Sequence, residues 1–170
     1  MENNEVNNLT VLEALRSQFG EKIGNSEEPF GLLTIDVDAE AAHDIIHWLK
    51  EHAVFKVQFL TNIAGVHYPD NKGQELVVVY HLHSFQNNFR IRLKAYLSSD
   101  NPVIASVTDL YAAANWIERE TYDFFGVIFE NHPDLRRILN EETMDYFPLR
   151  KEYQLEDTIR QDKDNRFFGR

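Results

Sequence analysis

The sequence predicts an α+β fold of two layers, in which helices pack on one face of a mixed, mostly antiparallel sheet. Segments with helical periodicity alternate with segments of strand-like alternation, in the order helix, strand, helix, several strands, helix. The clearest strand pattern lies in residues 76–82 and 89–97, which residues 84–88 join as a hairpin. The chain has 170 residues, of which 43% are hydrophobic, so it is long enough for one domain with a substantial core.

The helices and strands of the first two thirds of the chain follow from periodicity and from turn residues. Gly20 ends the first helix, and Asp38 supplies the side-chain cap of the second. One long strand is interrupted near Asn62 and Gly65 by a bulge or a turn. We predict helices over 9–19 and 39–52, a polar loop over 21–29, and strands over 30–37, 55–68, 76–82, 89–97 and 102–107.

A third helix is predicted by residues that recur at steps of three and four, namely Leu110, Ala113, Ala114, Ile117, Thr121, Phe124 and Phe125. Ser106 or Thr108 is expected to cap its start, and Asp109 favours the positive end of the helix dipole. Gly126 can take the left-handed conformation that closes such a helix. Residues 127–129 then form a brief extended segment.

The end of the chain divides into a short helix and a charged tail. Pro133 suits the first position of a helix, which predicts a short basic helix over 134–139. From 151 to 170, charges surround isolated apolar residues, so the segment cannot bury enough surface alone to offset its ordering entropy. We therefore predict a single α+β domain over 1–150 and an extended, partner-binding tail over 151–170.

The composition excludes several classes of function. The chain has no cysteine, which excludes disulfides, cysteine catalysis and thiolate-held iron–sulfur clusters on this polypeptide. No apolar run approaches the roughly 20 residues that span a bilayer, and the N-terminus is not a signal peptide, so we expect a soluble protein. A net charge of −11 disfavours nonspecific binding to nucleic acid or to an anionic membrane. No phosphate loop or dinucleotide fingerprint is present.

Two pairs of histidines have the spacing of metal ligands. His43 and His47 lie one helical turn apart, the spacing of a zinc pair, but no third ligand is placed by the sequence, and solvent-facing histidines explain them better. His81 and His83 share one face of a strand. They could join a metal site or a proton relay, and a half-exposed strand end explains them equally well.

A group of acids in the third helix offers a further candidate site. Glu118, Glu120 and Asp123 together with His132 could form a metal or acid–base centre. Arg119 favours a different interpretation, because an internal cation is a natural partner for these acids. A buried or interfacial ion network is therefore preferred to catalysis.

A basic stripe stands out on this acidic chain. Arg90, Arg92 and Lys94 alternate along one predicted strand and so share a face. The simpler interpretation is the solvated side of an antiparallel sheet. The sharper one is a docking face for an acidic neighbour.

The block over 116–139 is denser in charge and aromatic surface than the rest of the chain. Its distinctive residues are Glu118, Arg119, Glu120, Tyr122, Asp123, Gly126, Phe129, His132, Pro133, Asp134, Leu135, Arg136 and Arg137, followed later by Pro148, Leu149, Arg150 and Lys151. These two elements resemble the signature of the C-type, 30 kDa subunit family of respiratory complex I (NADH–quinone oxidoreductase). One departure is that Tyr146 and Phe147 stand where that family usually has a glycine and a histidine.

The resemblance implies a non-redox structural and assembly subunit of the peripheral arm, supporting electron transfer from NADH to quinone coupled to ion translocation. It implies no catalytic residue, metal or cofactor on this chain, with FMN and the iron–sulfur clusters on partner subunits. The implied partners are other peripheral-arm subunits, especially the quinone-site subunit and its iron–sulfur neighbour. The implied location is the cytoplasmic face of the cell (inner) membrane, as a peripheral part of the complex.

Two alternatives remain open at the level of sequence. One is the equivalent subunit of a related membrane-bound hydrogenase or another quinone-linked dehydrogenase, which shares this type of domain. The other is a free-standing metal-dependent hydrolase that uses His43, His47 and the acids of the third helix.

Two adjacent arginines in the signature are expected to have different partners. On a helix, Arg136 and Arg137 would point about 100° apart and could not face the same partner. We expect one to pair within the signature, with Glu118, Glu120 or Asp123. The other should reach a neighbouring subunit, where the planar guanidinium makes paired hydrogen bonds that lysine cannot copy.

Overall fold

A computed structural model describes residues 6–153 of the chain. The helices are α1 (Asn8–Phe19), α2 (Ala42–Glu51) and α3 (Ala114–Phe125). The strands are β1 (Ile23–Glu27), β2 (Leu33–Val37), β3 (Phe59–His67), β4 (Leu76–Ser84), β5 (Phe89–Leu97), β6 (Val103–Ala105) and β7 (Ile128–Glu130). Within residues 6–153, no helix is both long enough and apolar enough to cross a membrane.

Five strands form one sheet in the order β1-β2-β5-β4-β3. β2 runs parallel to β5, whereas the pairs β1–β2, β5–β4 and β4–β3 are antiparallel. β6 and β7 form a separate parallel pair that lies at either end of α3 in the sequence. The mixed, mostly antiparallel sheet confirms the predicted α+β class, and the bulge in β3 falls at Leu60–Asn62, close to its expected place.

One face of the sheet carries the core. The inward residues of β5 are Phe89, Ile91, Leu93, Ala95 and Leu97, all buried as their alternation predicted. The predicted stripe of α2 is also buried, with Ile45, Ile46 and Leu49 fully inaccessible to solvent. α3 lies against β3, where Phe125 packs so closely on Gly65 that a Cβ on this glycine would overlap the ring. The helices therefore cover one face, as expected for two layers.

The predicted loop over 21–29 contains a strand. β1 pairs with β2 and places Ile23 beside Val37. Ile23 is the one buried residue of β1, so the strand has no apolar alternation from which it could be predicted. It forms because its backbone hydrogen-bonds to the edge of β2. Conversely, the strand predicted over 30–37 starts only at Leu33, because Phe30 lies in a turn with a φ of 57°.

The start of α3 was predicted too early and with the wrong cap. The helix begins at Ala114, and no side chain caps it. Ser106 and Thr108, the expected caps, bond each other at 2.8 Å, and the Ser106 hydroxyl donates to Glu118 instead. Gly126 ends the helix in the left-handed conformation, with a φ of 76°, as predicted.

The short helix predicted over 134–139 is wrong, because this segment has no helical structure. Its backbone N–H groups at Ile138 and Leu139 point at the carboxylate of Asp123 rather than along a helix axis. Of the predicted tail, residues 154–170 lie outside the part of the chain that the structure describes.

Candidate functional site

The carboxylate of Asp123 is the centre of the signature block. It is fully buried and accepts three backbone N–H bonds at Oδ2, from Ile138 at 3.0 Å, Leu139 at 2.8 Å and Asn140 at 2.9 Å. Its Oδ1 accepts from the Asn140 side chain at 3.1 Å and from Arg137 at 2.8 Å. The chain over 137–140 is thus folded around one anion.

These hydrogen bonds decide the charge of Asp123. Burial by itself would raise the pKa of this carboxyl. The N–H groups of Asn140 and Leu139, together with the guanidinium of Arg137, oppose burial and hold the pKa well below its usual range. Asp123 is therefore a structural anion, and it is not poised to accept a proton near neutral pH.

Arg137 connects Asp123 to the chain that follows. Its side chain is 8% exposed, and Nη1 donates both to the Asp123 carboxylate and to the Asp123 carbonyl at 2.9 Å. Nη2 donates to the carbonyls of Met144 and Tyr146, each at 2.9 Å. The planar guanidinium serves four acceptors at once, which the single ammonium group of lysine cannot do in this geometry.

Phe147 occupies the position where the resemblance led us to expect a histidine. Its ring lies between the guanidinium groups of Arg137 and Arg150, 5.0 Å from each. The ring also covers Gly126, where any added Cβ would overlap it. Arg150 is held in turn by a 2.7 Å bond from Nε to the carbonyl of Phe125. An aromatic ring between two cations thus replaces whatever contact a histidine would make here.

The segment over 146–152, which we call the strap, runs from the end of α3 to the end of β3. The Leu149 N–H donates to the Phe124 carbonyl at 3.2 Å. At the far end, the Lys151 N–H donates to Nδ1 of the buried His67 at 2.9 Å. His67 was not predicted as a site residue, and only its place at a strand end hinted at a role.

A second part of the signature lies nearer the surface. Arg119 is buried; its guanidinium stacks 4.9 Å from the Trp116 ring, and its Nε donates to the Arg136 carbonyl at 3.4 Å. Arg136 leaves 63% of its side chain exposed and pairs with Asp134 at 3.0 Å. Trp116 is also 63% exposed. Trp116 and Arg136 thus form an exposed surface on this block, which we call the Trp116–Arg136 surface.

Glu118 points into the core, away from the other acids. It is fully buried, and its carboxylate accepts from the Ser106 hydroxyl at 2.7 Å and from the Val107 N–H at 2.8 Å. Burial raises the pKa of Glu118 to about 7, although these two hydrogen bonds oppose the rise. The hydroxyl of Tyr80 is buried too, with no partner among residues 6–153. A pKa near neutral pH therefore sets Glu118 apart from Asp123 on the same helix.

The structure does not assemble the acid–base centre that the acids and His132 could have formed. Glu118 and Asp123 bind separate groups, and Glu120 is exposed. The His132 ring accepts from the Asp134 N–H at 3.0 Å, so its other nitrogen donates to the Asn115 carbonyl at 3.0 Å. An ion pair is present at Asp123, but its cation is Arg137 and not the expected Arg119, which instead lies 3.9 Å from Asp134.

The zinc pair in α2 is not completed either. His43 bonds Asp109 at 3.0 Å, and its ring centroid lies 6.3 Å from that of His47. Asp109 was expected at the start of α3. It pairs with His43 instead, and the helix begins only at Ala114. In the part of the chain that is described, no cluster of three or more histidines and acids could hold a metal ion.

The remaining residues of the two signature elements have structural places. Phe129 is buried in β7, and Leu135 packs against the core. The ring of Tyr122 lies edge-on to that of Phe147, with 6.2 Å between centroids. Pro133 lies in a turn with Asp134 instead of starting the expected helix. Fold and site together define an α+β protein whose most charged block is bonded largely within its own chain in the described residues.

Comparison with known proteins identifies the family to which this chain belongs. The chain is a member of the respiratory-chain NADH dehydrogenase 30 kDa subunit family, whose profile matches residues 35–159. This confirms the resemblance carried by the signature residues.

Several relatives are named as NADH-quinone oxidoreductase subunits of the C type. The protein from a Roseiflexus species is 41% identical over 150 residues, which are 88% of this chain and 86% of that protein. The protein from Streptomyces coelicolor is 40% identical over 125 residues, which are 74% of this chain but only half of that longer protein.

Two solved structures share the fold. A trypsin-resistant fragment of Nqo5 superposes with a TM-score of 0.63 at 31% identity, covering 75% of this chain and 98% of the fragment. A chain of an archaeal respiratory membrane complex, the membrane-bound sulfane sulfur reductase, superposes with a TM-score of 0.72 at 23% identity, covering 86% and 85%. The second likeness shows the fold alone.

Proposed function

We propose that this chain is the non-redox, structural 30 kDa subunit of the peripheral arm of NADH–quinone oxidoreductase, supporting electron transfer from NADH to quinone coupled to ion translocation. The observation that carries the proposal is the network around Asp123 and Arg137. Its charged groups hold the strap and the loop over 137–140 in place, which is the task of a scaffold. Family membership supplies the complex to which the scaffold belongs.

The proposal extends to cofactors, partners and location. We propose that FMN and the iron–sulfur clusters reside on partner subunits. For the clusters the reason is that this chain has no cysteine to hold one. Its neighbours are other peripheral-arm subunits, especially the quinone-site subunit and its iron–sulfur neighbour. We propose that it acts at the cytoplasmic face of the membrane through the complex, and that the charged tail predicted over 151–170 binds one of these partners beyond the strap.

The Trp116–Arg136 surface is the proposed contact with a neighbouring subunit. Tryptophan and arginine are the residues that most often anchor protein interfaces. Here the two are linked through Arg119, which stacks on the indole and donates to the backbone of Arg136. These contacts restrict the Trp116 ring and the Arg136 backbone before any partner arrives, which lowers the entropy lost on binding.

Co-purification tests the proposal directly. A tagged chain, solubilised in mild detergent from the membranes of its own host, is expected to recover the other subunits of NADH–quinone oxidoreductase. Arg136→Glu should keep the melting temperature of the free protein and reduce that recovery, whereas Lys72→Glu, at an exposed lysine in the turn between β3 and β4, should change neither. Recovery of the tagged chain alone, from cells that contain an assembled complex, would refute the assembly role.

A further inference from the structure

The outer face of the sheet, opposite the helices, carries a cluster of nitrogen-rich side chains. Register places His81 of β4 beside Arg92 of β5, and His83 beside Arg90. Alternation puts all four side chains on the face that is turned away from the core. They form a two-by-two array, and we call these four residues the outer array.

Among residues 6–153, no acid forms a salt bridge with the arginines of the array. Lys94, the next cation of β5, is paired with Glu27 at 2.7 Å. Arg92 instead donates from Nε to Nε2 of His81 at 2.9 Å, and neither Arg90 nor Arg92 forms a salt bridge among residues 6–153. Two arginines without acid partners are conspicuous on a chain with a net charge of −11.

The two histidines of the array are incompletely satisfied. Because Nε2 of His81 accepts from Arg92, the ring is neutral there, and burial is the first reason that the pKa of His81 is lowered. Nδ1 of His81 and Nε2 of His83 are buried and have no partner in the described part of the chain. Buried polar atoms without partners cost free energy, so these two nitrogens are unfavourable in the free chain.

An aromatic pair adjoins the array. Phe59 pairs with His83 across the sheet, and Phe85 follows two residues after His83. The rings of Phe59 and Phe85 lie 4.9 Å apart, and the two residues are 43% and 66% exposed. Exposed rings beside unpaired arginines are a combination typical of interface anchors.

We propose that the outer array and the Phe59–Phe85 pair dock an acidic segment of a partner protein within the complex. Carboxylates of the segment pair with Arg90 and Arg92, which lie about 7 Å apart as alternate residues of one strand. Apolar side chains of the same segment pack on the two rings. The inference rests on the proposed function, because it assigns one more partner contact to the same assembly.

A protein segment fits this surface better than a membrane or a nucleic acid. Binding to a polyanionic surface grows with the number of cations supplied, and here two arginines stand against a net charge of −11. Two cations suit one or two carboxylates at short range. The exposed rings also need apolar contact, which a phosphate backbone does not supply.

Photo-crosslinking in the assembled complex tests the proposal. Phe85 is replaced by the photoreactive analogue p-benzoylphenylalanine, the complex is purified and irradiated, and the adduct is located by mass spectrometry. We expect an adduct on a partner segment that contains at least two acids near an apolar residue. Arg90→Glu in the same chain should lower the adduct yield about tenfold because like charges then face each other. Arg16→Glu, also an exposed arginine, should leave the yield unchanged.

Any other result of the crosslinking experiment contradicts the proposal that the array docks an acidic segment. An adduct on lipid, an adduct on a segment without acids, or no adduct from a complex that purifies intact would each refute it and leave the proposed function standing. If the wild-type chain recovers no other subunit, the assembly role fails, and this contact fails with it. Reversal of the Arg90→Glu defect by an acid-to-lysine change in the crosslinked segment would establish the charge pairing.

Discussion

Arg137 lies with Nη1 2.8 Å from Oδ1 of Asp123, and the two side chains are 8% and 0% exposed. This pair distinguishes the adjacent arginines of the signature. Arg137 pairs within the block, with one of the three acids considered, while Arg136 leaves most of its side chain in solvent. A buried ion pair offsets its desolvation only when its remaining donors and acceptors are satisfied, as the four acceptors of Arg137 and the five donors to Asp123 allow.

Replacing Arg137 by lysine should destabilise the free protein. Lysine keeps the charge but cannot reach Asp123, Met144 and Tyr146 together. Backbone carbonyls therefore stay without donors, and the buried carboxylate of Asp123 loses part of its hydrogen bonding. We expect Arg137→Lys to lower the free energy of unfolding by about 2–4 kcal/mol. Arg136→Lys is the neighbouring control and should stay within about 0.5 kcal/mol of wild type. Urea unfolding measures both, and equal stabilities would show that the network carries little of the fold.

Replacing Gly126 by alanine should be costly for two separate reasons. The residue has a positive φ of 76°, and its added Cβ would overlap the ring of Phe147. Gly73 is the matched control, since its φ is 82° and its Cβ would meet nothing within 4 Å. In both variants the positive φ should lower the free energy of unfolding by about 1 kcal/mol. Only Gly126→Ala should lower it further, because of the overlap with the ring.

The double variant separates these two costs. In Phe147→Ala the ring is gone, so a further Gly126→Ala change should cost no more than Gly73→Ala does. Thermal unfolding of wild type, the two single variants and the double variant forms the required cycle. If Gly126→Ala costs the same with and without the ring, the contact between Gly126 and Phe147 has no energetic role.

Glu118 should give the protein a distinctive dependence of stability on pH. Its folded pKa is raised to about 7 from 4.5, so between these values the folded state binds more protons than the unfolded state. The contribution of Glu118 to stability is therefore greatest below pH 4.5 and falls as the pH rises to about 7, by an amount on the order of 3 kcal/mol. Glu118→Gln should remove this fall.

The measurement is the difference in unfolding free energy between wild type and Glu118→Gln at several pH values. The difference cancels the contributions of titrating groups that the substitution leaves unaltered. Glutamine can still accept from the Val107 N–H while its amide donates to Ser106, so the fold should persist. A difference that stays constant from pH 4.5 to 7 would contradict the assignment.

Removal of metal should leave the protein unchanged. His43 is engaged by Asp109, and residues 6–153 hold no cluster of three potential ligands. We therefore expect the same melting temperature before and after dialysis against EDTA, and no stoichiometric metal in the dialysed protein. A metal-dependent hydrolase predicts the reverse, so zinc or iron that survives dialysis would revive that alternative.

The sequence alone predicted the features that neighbouring residues determine. The alternation of β4 and β5, the buried stripe of α2 and the left-handed stop at Gly126 depend on side chains and backbone freedom within a few residues. The lack of cysteine could also be interpreted without coordinates, and so could the presence of the signature residues.

Tertiary structure decided the features that depend on distant chain. β1 has one buried residue and exists as a strand because the edge of β2 is there to pair with it. α3 lacks the expected Ser106 cap, because the Ser106 hydroxyl donates to the buried carboxylate of Glu118. The loop over 137–140 gives up helical hydrogen bonds, since three of its N–H groups find a stronger acceptor in a charged carboxylate.

The choice between Arg136 and Arg137 shows the same division. The sequence predicted different partners for the two arginines from the geometry of a helix that does not form; in the structure Arg137 pairs with Asp123 and Arg136 pairs with Asp134. Which one turned inward depended on where the loop lay once α3 had packed on β3 and had buried Asp123, 14 residues before Arg137. A buried carboxylate must be paired, and only the folded chain brings one particular guanidinium within 2.8 Å of it.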